Sequence, residues 1–350
     1  MRILVTGTDG YIGAVAAPLL MAAGHDVTGL DSGYYRAGWL YEPGAPRPAT
    51  LTMDIRDVTP ADLVGFDAVI HMAELSNDPL AALSPDLTRA INHGGTVRLA
   101  RAARAAGVAR FVYMSSCSVY GQADGDTALT EDSPTNPQTA YAECKLRSEA
   151  DLAAMAGPGF TPIFLRNATV FGPSPRQRFD VVLNDLCGRA WTEGAITLIS
   201  DGSPWRPLVH VDDVCAAIRA VLEAPAAAVS GQALNVGSDE QNLRVIDIAR
   251  IVADAFPGCG IVTGPPSGDT RSYRVDFGRI GRVLPGFHCR WTAAAGARQM
   301  RDLFARIGLD AATFAAPAFV RLKMIADLRD RGLLDASLRW TSPDRKATAA

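Results

Sequence analysis

Short apolar runs alternate with helix-like stretches through the first half of this chain, and that alternation restricts the fold more than any other feature. Ile3-Leu-Val5, Asp26-Val-Thr-Gly-Leu30, Ala68-Val-Ile70 and Arg110-Phe-Val-Tyr-Met114 read as strands buried on both faces. Between them, Ile12 to Ala23, Asp86 to Gly107 and Thr139 to Ala156 carry Ala, Leu and Arg at helical spacing, with Gly24 and Gly107 placed as stops. Strand, helix, strand in that order predicts an α/β fold with a doubly wound parallel sheet. After a further strand, Ile163-Phe-Leu165, the irregular run Phe171-Gly-Pro-Ser-Pro-Arg-Gln-Arg178 breaks the pattern. The rest mixes short strands with helices such as Val211 to Glu223 and Arg244 to Phe256, and is expected to form a smaller, substrate-facing lobe. The expected division is 1–170 for the first domain, with some later segments returning to it, 171–341 for the lobe and C-terminal helices, and 342–350 for a disordered tail.

A chain of 350 residues buries a core without help from metal or disulfide. The net charge of −3 gives no basic footprint, so nucleic acid is not an expected partner. The six cysteines, at 117, 144, 187, 215, 259 and 289, form no C-x-x-C pair and no zinc-ligand spacing, and read as reduced thiols. No apolar run reaches the roughly 18 residues of a membrane span, and Met1 leads into Arg-Ile-Leu-Val without the pattern of a signal peptide. A cytoplasmic protein without membrane or metal partner is expected.

Thr6-Gly-Thr-Asp-Gly-Tyr-Ile-Gly13 follows the first strand and opens the first helix, with glycines at 7, 10 and 13. Small residues there let backbone N–H groups approach a pyrophosphate at the positive end of a helix; a tight structural turn would use the same glycines. Asp31 closes the second strand about 20 residues on, where a carboxylate accepts hydrogen bonds from a ribose diol and repels a 2′-phosphate. That favours NAD, while Arg36 nearby keeps NADP open and a simple turn before Ser32-Gly33 would also use Asp31. Asp54-Ile55 is placed to flank an adenine edge or to be a solvated loop. Tyr141 and Lys145 lie four residues apart on one helical face. A phenol titrates near about pH 10 in water, and a neighbouring ammonium favours its phenolate, which suits proton exchange with an alcohol. Ser116, at the carboxyl end of a strand, is placed to share that proton or merely to bond the turning backbone.

Together, Thr6-Gly-x-x-Gly-x-x-Gly13, Asp31, Asp54-Ile55, His71-Met-Ala73, Asn92, Ser-Ser-Cys-Ser-Val-Tyr-Gly121, Tyr141-x-x-x-Lys145 and Leu165-Arg166 resemble the extended short-chain dehydrogenase/reductases, most closely their nucleotide-sugar epimerases and dehydratases, over roughly residues 1 to 285. The resemblance implies a Rossmann-type sheet with a smaller C-terminal substrate-binding lobe, and NAD held by Gly7, Gly10, Tyr11, Ile12, Gly13, Asp31, Asp54, Ile55, Met72, Ala73, Asn92, Tyr141 and Lys145. It implies Tyr141 as base, Lys145 on the nicotinamide ribose and Ser116 on the reacting hydroxyl. For the substrate it points to Ser116, Asn167, Arg178, Asn184, Arg206 in Asp201-Gly-Ser-Pro-Trp-Arg206, and Arg271. Arginine's fork of donors suits a diphosphate. Arg176 and Arg178 would meet a phosphate or a uronate carboxylate, or solvent. A homodimer built on the Asp86–Gly107 and Thr139–Ala156 helices is also implied, and the amphipathic stretch from Leu322 to Trp340 would serve assembly.

Two departures narrow the expected chemistry. Dehydratases of the family carry an Asp-Glu pair before Val-Tyr-Gly, where this chain has Cys117-Ser118, and Cys117 is better read as a small buried hydrophobe. Thr169 stands where the family often has Asn, with Asn167 two residues earlier. The expected reaction is oxidation and reduction at C4 of a nucleotide-activated sugar, foremost a 4-epimerase. The alternatives are a 4-dehydrogenase or 4-reductase that releases the keto sugar, a reductase of a non-nucleotide alcohol or ketone, and a non-catalytic NAD-binding regulator.

Overall fold

A computed structural model describes residues 1–76, 84–122, 127–266 and 272–342. Its centre is a seven-stranded parallel sheet of β1 (Arg2–Thr6), β2 (Asp26–Asp31), β3 (Thr50–Thr52), β4 (Ala68–His71), β5 (Arg110–Ser116), β7 (Thr161–Asn167) and β11 (Ala233–Val236), ordered β3-β2-β1-β4-β5-β7-β11. The order reverses between β1 and β4, which opens a crevice at the carboxyl ends of those strands. Ile3, Leu4 and Val5 are wholly buried, as are Ala68, Val69 and Ile70. Because both faces are covered, these strands read as unbroken apolar runs rather than alternating ones.

On one face lie α1 (Gly13–Ala22) and a later helix, α6 (Val211–Glu223), whose Val211, Val214, Ile218 and Val221 share a core with Ile3, Val5 and Val112. Helix α1 stops where Gly24 adopts φ +86°, with His25 N–H bonded to Leu20 O and Gly24 N–H to Met21 O, a turn that closes the helix's last carbonyls. The other face carries α2 (Pro85–Thr88), which passes through a π-helical stretch, Arg89–Gly95, into α3 (Thr96–Ala105), and beside it α4 (Ala140–Ala153). π-helical insertions often mark functional sites, and this one carries Asn92.

The lobe is built from β8 (Thr169–Phe171), α5 (Val182–Thr192), β10 (Trp205–His210), β12 (Asn242–Arg244), α7 (Val245–Ala255) and α8 (Ala293–Ile307) around a separate apolar cluster that includes Phe179, Leu183, Ile248 and Phe304. Strand β10 pairs with β8 and β12, and small two-stranded pairings join β6 (Ala128–Leu129) to β14 (Arg274–Val275) and β9 (Ala195–Thr197) to β13 (Gly260–Val262). Both α6 and β11, from beyond residue 170, pack with the main sheet. The stretch expected as helix from Leu322 to Trp340 is helical only in α9 (Arg321–Asp330), after which Gly332 turns at φ +64° and Leu334 bridges to Trp340. Its Met324, Ile325 and Leu328 join the core of Leu4, Leu30 and Tyr34, so the segment packs on its own chain. No helix among the described residues is long and apolar enough to cross a membrane.

Candidate active site

A cavity of about 450 Å³ opens at the carboxyl ends of the strands, within the range of small-molecule sites. Its floor at one end is the turn between β1 and α1. Gly7 takes φ +82°, and a side chain at Gly13 would put its Cβ 2.1 Å from Gly7 O, so only glycine lets the turn close. The start of α1 lies at the cavity wall with its positive dipole end toward it. Asp31 closes β2 beside this cradle, accepting from Asp9 N–H at 3.0 Å and Gly33 N–H at 2.7 Å. Each carboxylate oxygen keeps a second lone pair for a diol. Burial, and then the nearby Asp9 charge, push its pKa up to about 6. Arg36 is engaged by Asp9 at 3.2 Å and by Thr52 at 2.8 Å. Asp54 is clamped by Arg56 through contacts of 2.9 and 2.6 Å, and the guanidinium holds the carboxyl below its usual range against the effect of burial. The cradle, the acid at the end of β2 and the cavity beyond fit a dinucleotide.

Ser116, Tyr141 and Lys145 line the same cavity. Helix α4 begins where Thr139 Oγ1 accepts the Ala142 N–H at 3.2 Å, which places Tyr141 in the first turn and Lys145 one turn on. The Lys145 ammonium lies 5.5 Å from the Tyr141 ring centre and 4.6 Å from that of Tyr113, and donates to Met114 O. Ser116 Oγ accepts from Ser118 N–H at 3.1 Å, and its neighbour across the sheet is Asn167.

Beneath this set runs a chain of buried bonds that the motifs did not reveal. Glu74, just past β4, puts Oε2 2.7 Å from Lys145 Nζ, both side chains being almost wholly buried. Its Oε1 accepts from Tyr113 Oη at 2.8 Å and from Thr96 Oγ1 at 3.2 Å. Since Thr96 donates to Glu74, it accepts from His71 Nε2 at 2.8 Å, leaving His71 Nδ1 to accept from Thr6 at 2.7 Å. Burial drives the His71 pKa down to about 3, so the ring is neutral. Burial also works against the Lys145 charge, yet the Glu74 carboxylate beside it holds the ammonium above its ordinary pKa.

Most residues singled out in the sequence meet at this cavity. Gly7, Gly10, Tyr11, Ile12, Gly13, Asp31, Asp54, Ile55, Met72 and Ala73 line one part of it, and Ser116, Tyr141, Lys145, Asn167, Arg178 and Arg206 the other. Asn92 and Asn184 are not on the wall: Asn92 binds both backbone groups of Leu75, at 2.9 and 3.0 Å, and Asn184 ties Gly172 N–H to the Tyr11 hydroxyl. Arg271 lies outside the described residues. Arg176 is buried, stacked 3.6 Å over Trp39, and donates to Tyr35 O. Arg178 pairs with Asp180 at 2.8 Å, and the guanidinium holds that carboxyl below its usual range although burial opposes it. Arg206 reaches the cavity from β10 and donates to Trp205 O at 2.9 Å. Arg321, from α9, also lines the wall, 4.1 Å over the Tyr35 ring. Nothing local in the sequence points to Arg321 or Glu74, because chain folding alone brings them there.

Residues 3–237 match the model of the NAD dependent epimerase/dehydratase family. The chain belongs to that family and is an NAD-dependent enzyme of the extended short-chain dehydrogenase/reductase type. It is 33% identical over 317 residues to the UDP-glucose 4-epimerase of Mycolicibacterium smegmatis, an overlap of 87% of this chain and 98% of that one. Among solved structures it resembles TunA, an NAD-dependent NDP-hexosamine 5,6-dehydratase involved in tunicamycin biosynthesis, with a TM-score of 0.77 and 27% identity over 87% of this chain and 98% of the other. It also resembles the dTDP-glucose 4,6-dehydratase DesIV of Streptomyces venezuelae with NAD and TYD bound, with a TM-score of 0.76 and 28% identity over 89% and 100% of the two chains.

Proposed function

We propose that this enzyme is a nucleotide-sugar 4-epimerase. The observation that carries the reading is the state of the carboxylates on the cavity wall. Asp31 is bonded to backbone N–H groups, Asp54 to Arg56, Glu74 to Lys145 and Asp180 to Arg178, while positions 117 and 118 hold a thiol and a hydroxyl. Cys117 is buried and bonded to Arg166 O, and burial pushes its thiol far above the ordinary range. Loss of water from a sugar needs a second acid and base near the reacting carbons, and none of these groups is disposed to serve. Among the described residues, what remains is one set suited to one alcohol carbon.

In this reading Tyr141 takes the proton from the C4 hydroxyl while Ser116 Oγ holds that oxygen. NAD, when bound, would supply the hydride acceptor and donor. Lys145 favours the phenolate by its charge, and Tyr141 returns the proton once hydride has come back to the other face of the ketone. Arg206, arriving from the lobe, offers charge-assisted donors to the diphosphate and so anchors the substrate by the part that does not react. A homodimer through α3 and α4 belongs to the same reading, and light scattering tests it.

The purified enzyme incubated with UDP-, GDP- and dTDP-sugars is expected to yield the C4 epimer. A 4-keto-6-deoxy sugar as product would show dehydration instead, and an accumulating keto sugar would make it a 4-dehydrogenase. Turnover of a free ketone but of no nucleotide sugar would sink the reading altogether.

A further inference from the structure

We propose that Glu74 is a positioning residue that holds Lys145 in place beside Tyr141 and sets the pH at which the Tyr141–Lys145 pair gives up its first proton. The inference rests on the reading above, in which Tyr141 moves the substrate proton.

The geometry makes Glu74 part of the site. Its carboxylate lines the cavity, with Oε2 2.7 Å from Lys145 Nζ, and it is fixed from behind by Tyr113 Oη and Thr96 Oγ1. Those two donors fix the orientation of the carboxylate, and Thr96 is itself fixed through His71 and Thr6 to the end of β1. The lysine therefore has one position, set by two elements of the sheet. Its charge is no longer a lone cation next to the phenol, because a full negative charge stands against it at contact distance.

The consequence is chemical. An epimerase must take a proton in one half of its cycle and return it in the other, which works best when the group titrates near the working pH. An unopposed buried ammonium would hold Tyr141 as phenolate and make return of the proton slow. Glu74 offsets that charge. Among the described residues, Tyr113 from β5, neutral because burial raises its pKa, and Arg178, whose charge is matched by Asp180, also face the tyrosine. Glu149, which reaches Lys145 from the same helix, is paired with Arg166 at 2.6 Å. Glu74 is thus the carboxylate among these whose partner is the catalytic lysine. Whichever member of the Tyr141–Lys145 pair loses its proton first, a nearby negative charge raises the pH of that step.

The test reads the phenolate directly, without a substrate. Near-ultraviolet absorbance of the NAD-loaded full chain is titrated, and the same curve for Y141F is subtracted to isolate Tyr141. Glu74→Gln is expected to move the step down by about one pH unit or more, and Glu74→Asp, which keeps the charge, to leave it within a few tenths. A step in E74Q that stays at the wild-type pH, or moves up, overturns the proposal. Should E74Q not fold, K145M is compared with E74Q/K145M, which removes both charges together. The double variant titrating lower by about a unit supports the same role, and coincident curves refute it. Turnover of Y141F with a nucleotide sugar tests the underlying function separately: an active Y141F removes that reading, whereas a dead Y141F with an unmoved E74Q step removes only the role of Glu74.

Discussion

Asp31 is held in a form that folding alone would not choose. Its folded pKa of about 6 lies above the 3.8 of the unfolded chain, burial being the main cause. The sign follows from linkage: the group binds its proton more tightly when folded, so its contribution is fully present below pH 3.8 and is lost as the pH rises toward about 6. Above that window the buried carboxylate destabilises the NAD-free protein. Asp31→Asn is therefore expected to raise the melting temperature of the NAD-stripped enzyme at pH 7, with the gain shrinking toward pH 4, and to weaken NAD retention at neutral pH. A variant that melts lower than wild type at pH 7 would contradict this account of the site. Arg206 makes a different kind of contribution, to the substrate alone. A charge-assisted hydrogen bond is worth about 1.5–3 kcal/mol, so Arg206→Ala is expected to raise KM for a nucleotide sugar by roughly tenfold or more and to change kcat much less. An unaltered KM would favour a small alcohol substrate that has no diphosphate.

At the scale of elements, the start of α4 matters most, because it sets where Tyr141 stands. Thr139→Ala removes the side chain that caps the helix, at a cost of about 1 kcal/mol, and lets the first turn fray. A fall in kcat with KM little changed is expected, with Thr139→Ser restoring it; equal kcat values for T139A and wild type would show that packing alone holds the turn. The same element shows why part of the site can be read from sequence. Tyr141 and Lys145 are neighbours on one helix, so their spacing suffices, and Ile3 to Val5 announces a strand because burial on both faces leaves no polar break. Strand β3 is less legible: two half-buried threonines flank Leu51, which is 43% exposed, and a stretch rich in proline and glycine precedes it. Glu74 gives no signal either, since its contacts with Lys145, Tyr113 and Thr96 arise from the order of the strands and not from any local period.

For the molecule as a whole, the segment after α9 packs against the end of the cavity that carries Asp31 and Asp54. Trp340 Nε1 donates to Ser32 O at 2.7 Å, Tyr34 Oη to Leu338 O, and Arg56 to Ser337 O at 3.0 Å, while Arg339 pairs with Asp57. The Tyr34 and Trp340 rings lie 6.0 Å apart, and Leu334 and Leu338 are buried. These contacts brace the residues that flank Asp31 and Asp54, the two acids at that end of the cavity. Met324, Ile325, Leu328, Leu334 and Leu338 of this stretch are buried in the core of its own chain. Removing residues 331–350 should therefore act on the cofactor and not on the oligomer. Burying a leucine is worth about 1.5–3 kcal/mol, and a loss of two such residues predicts a fall in melting temperature of roughly 5 °C or more, together with faster release of NAD on gel filtration. Light scattering should give the same oligomeric state as the full chain. A truncated protein that keeps its NAD but falls apart into smaller species would return the segment to an assembly role, and Leu338→Ala with Trp340→Ala, which leave the chain length intact, should reproduce the NAD loss in milder form.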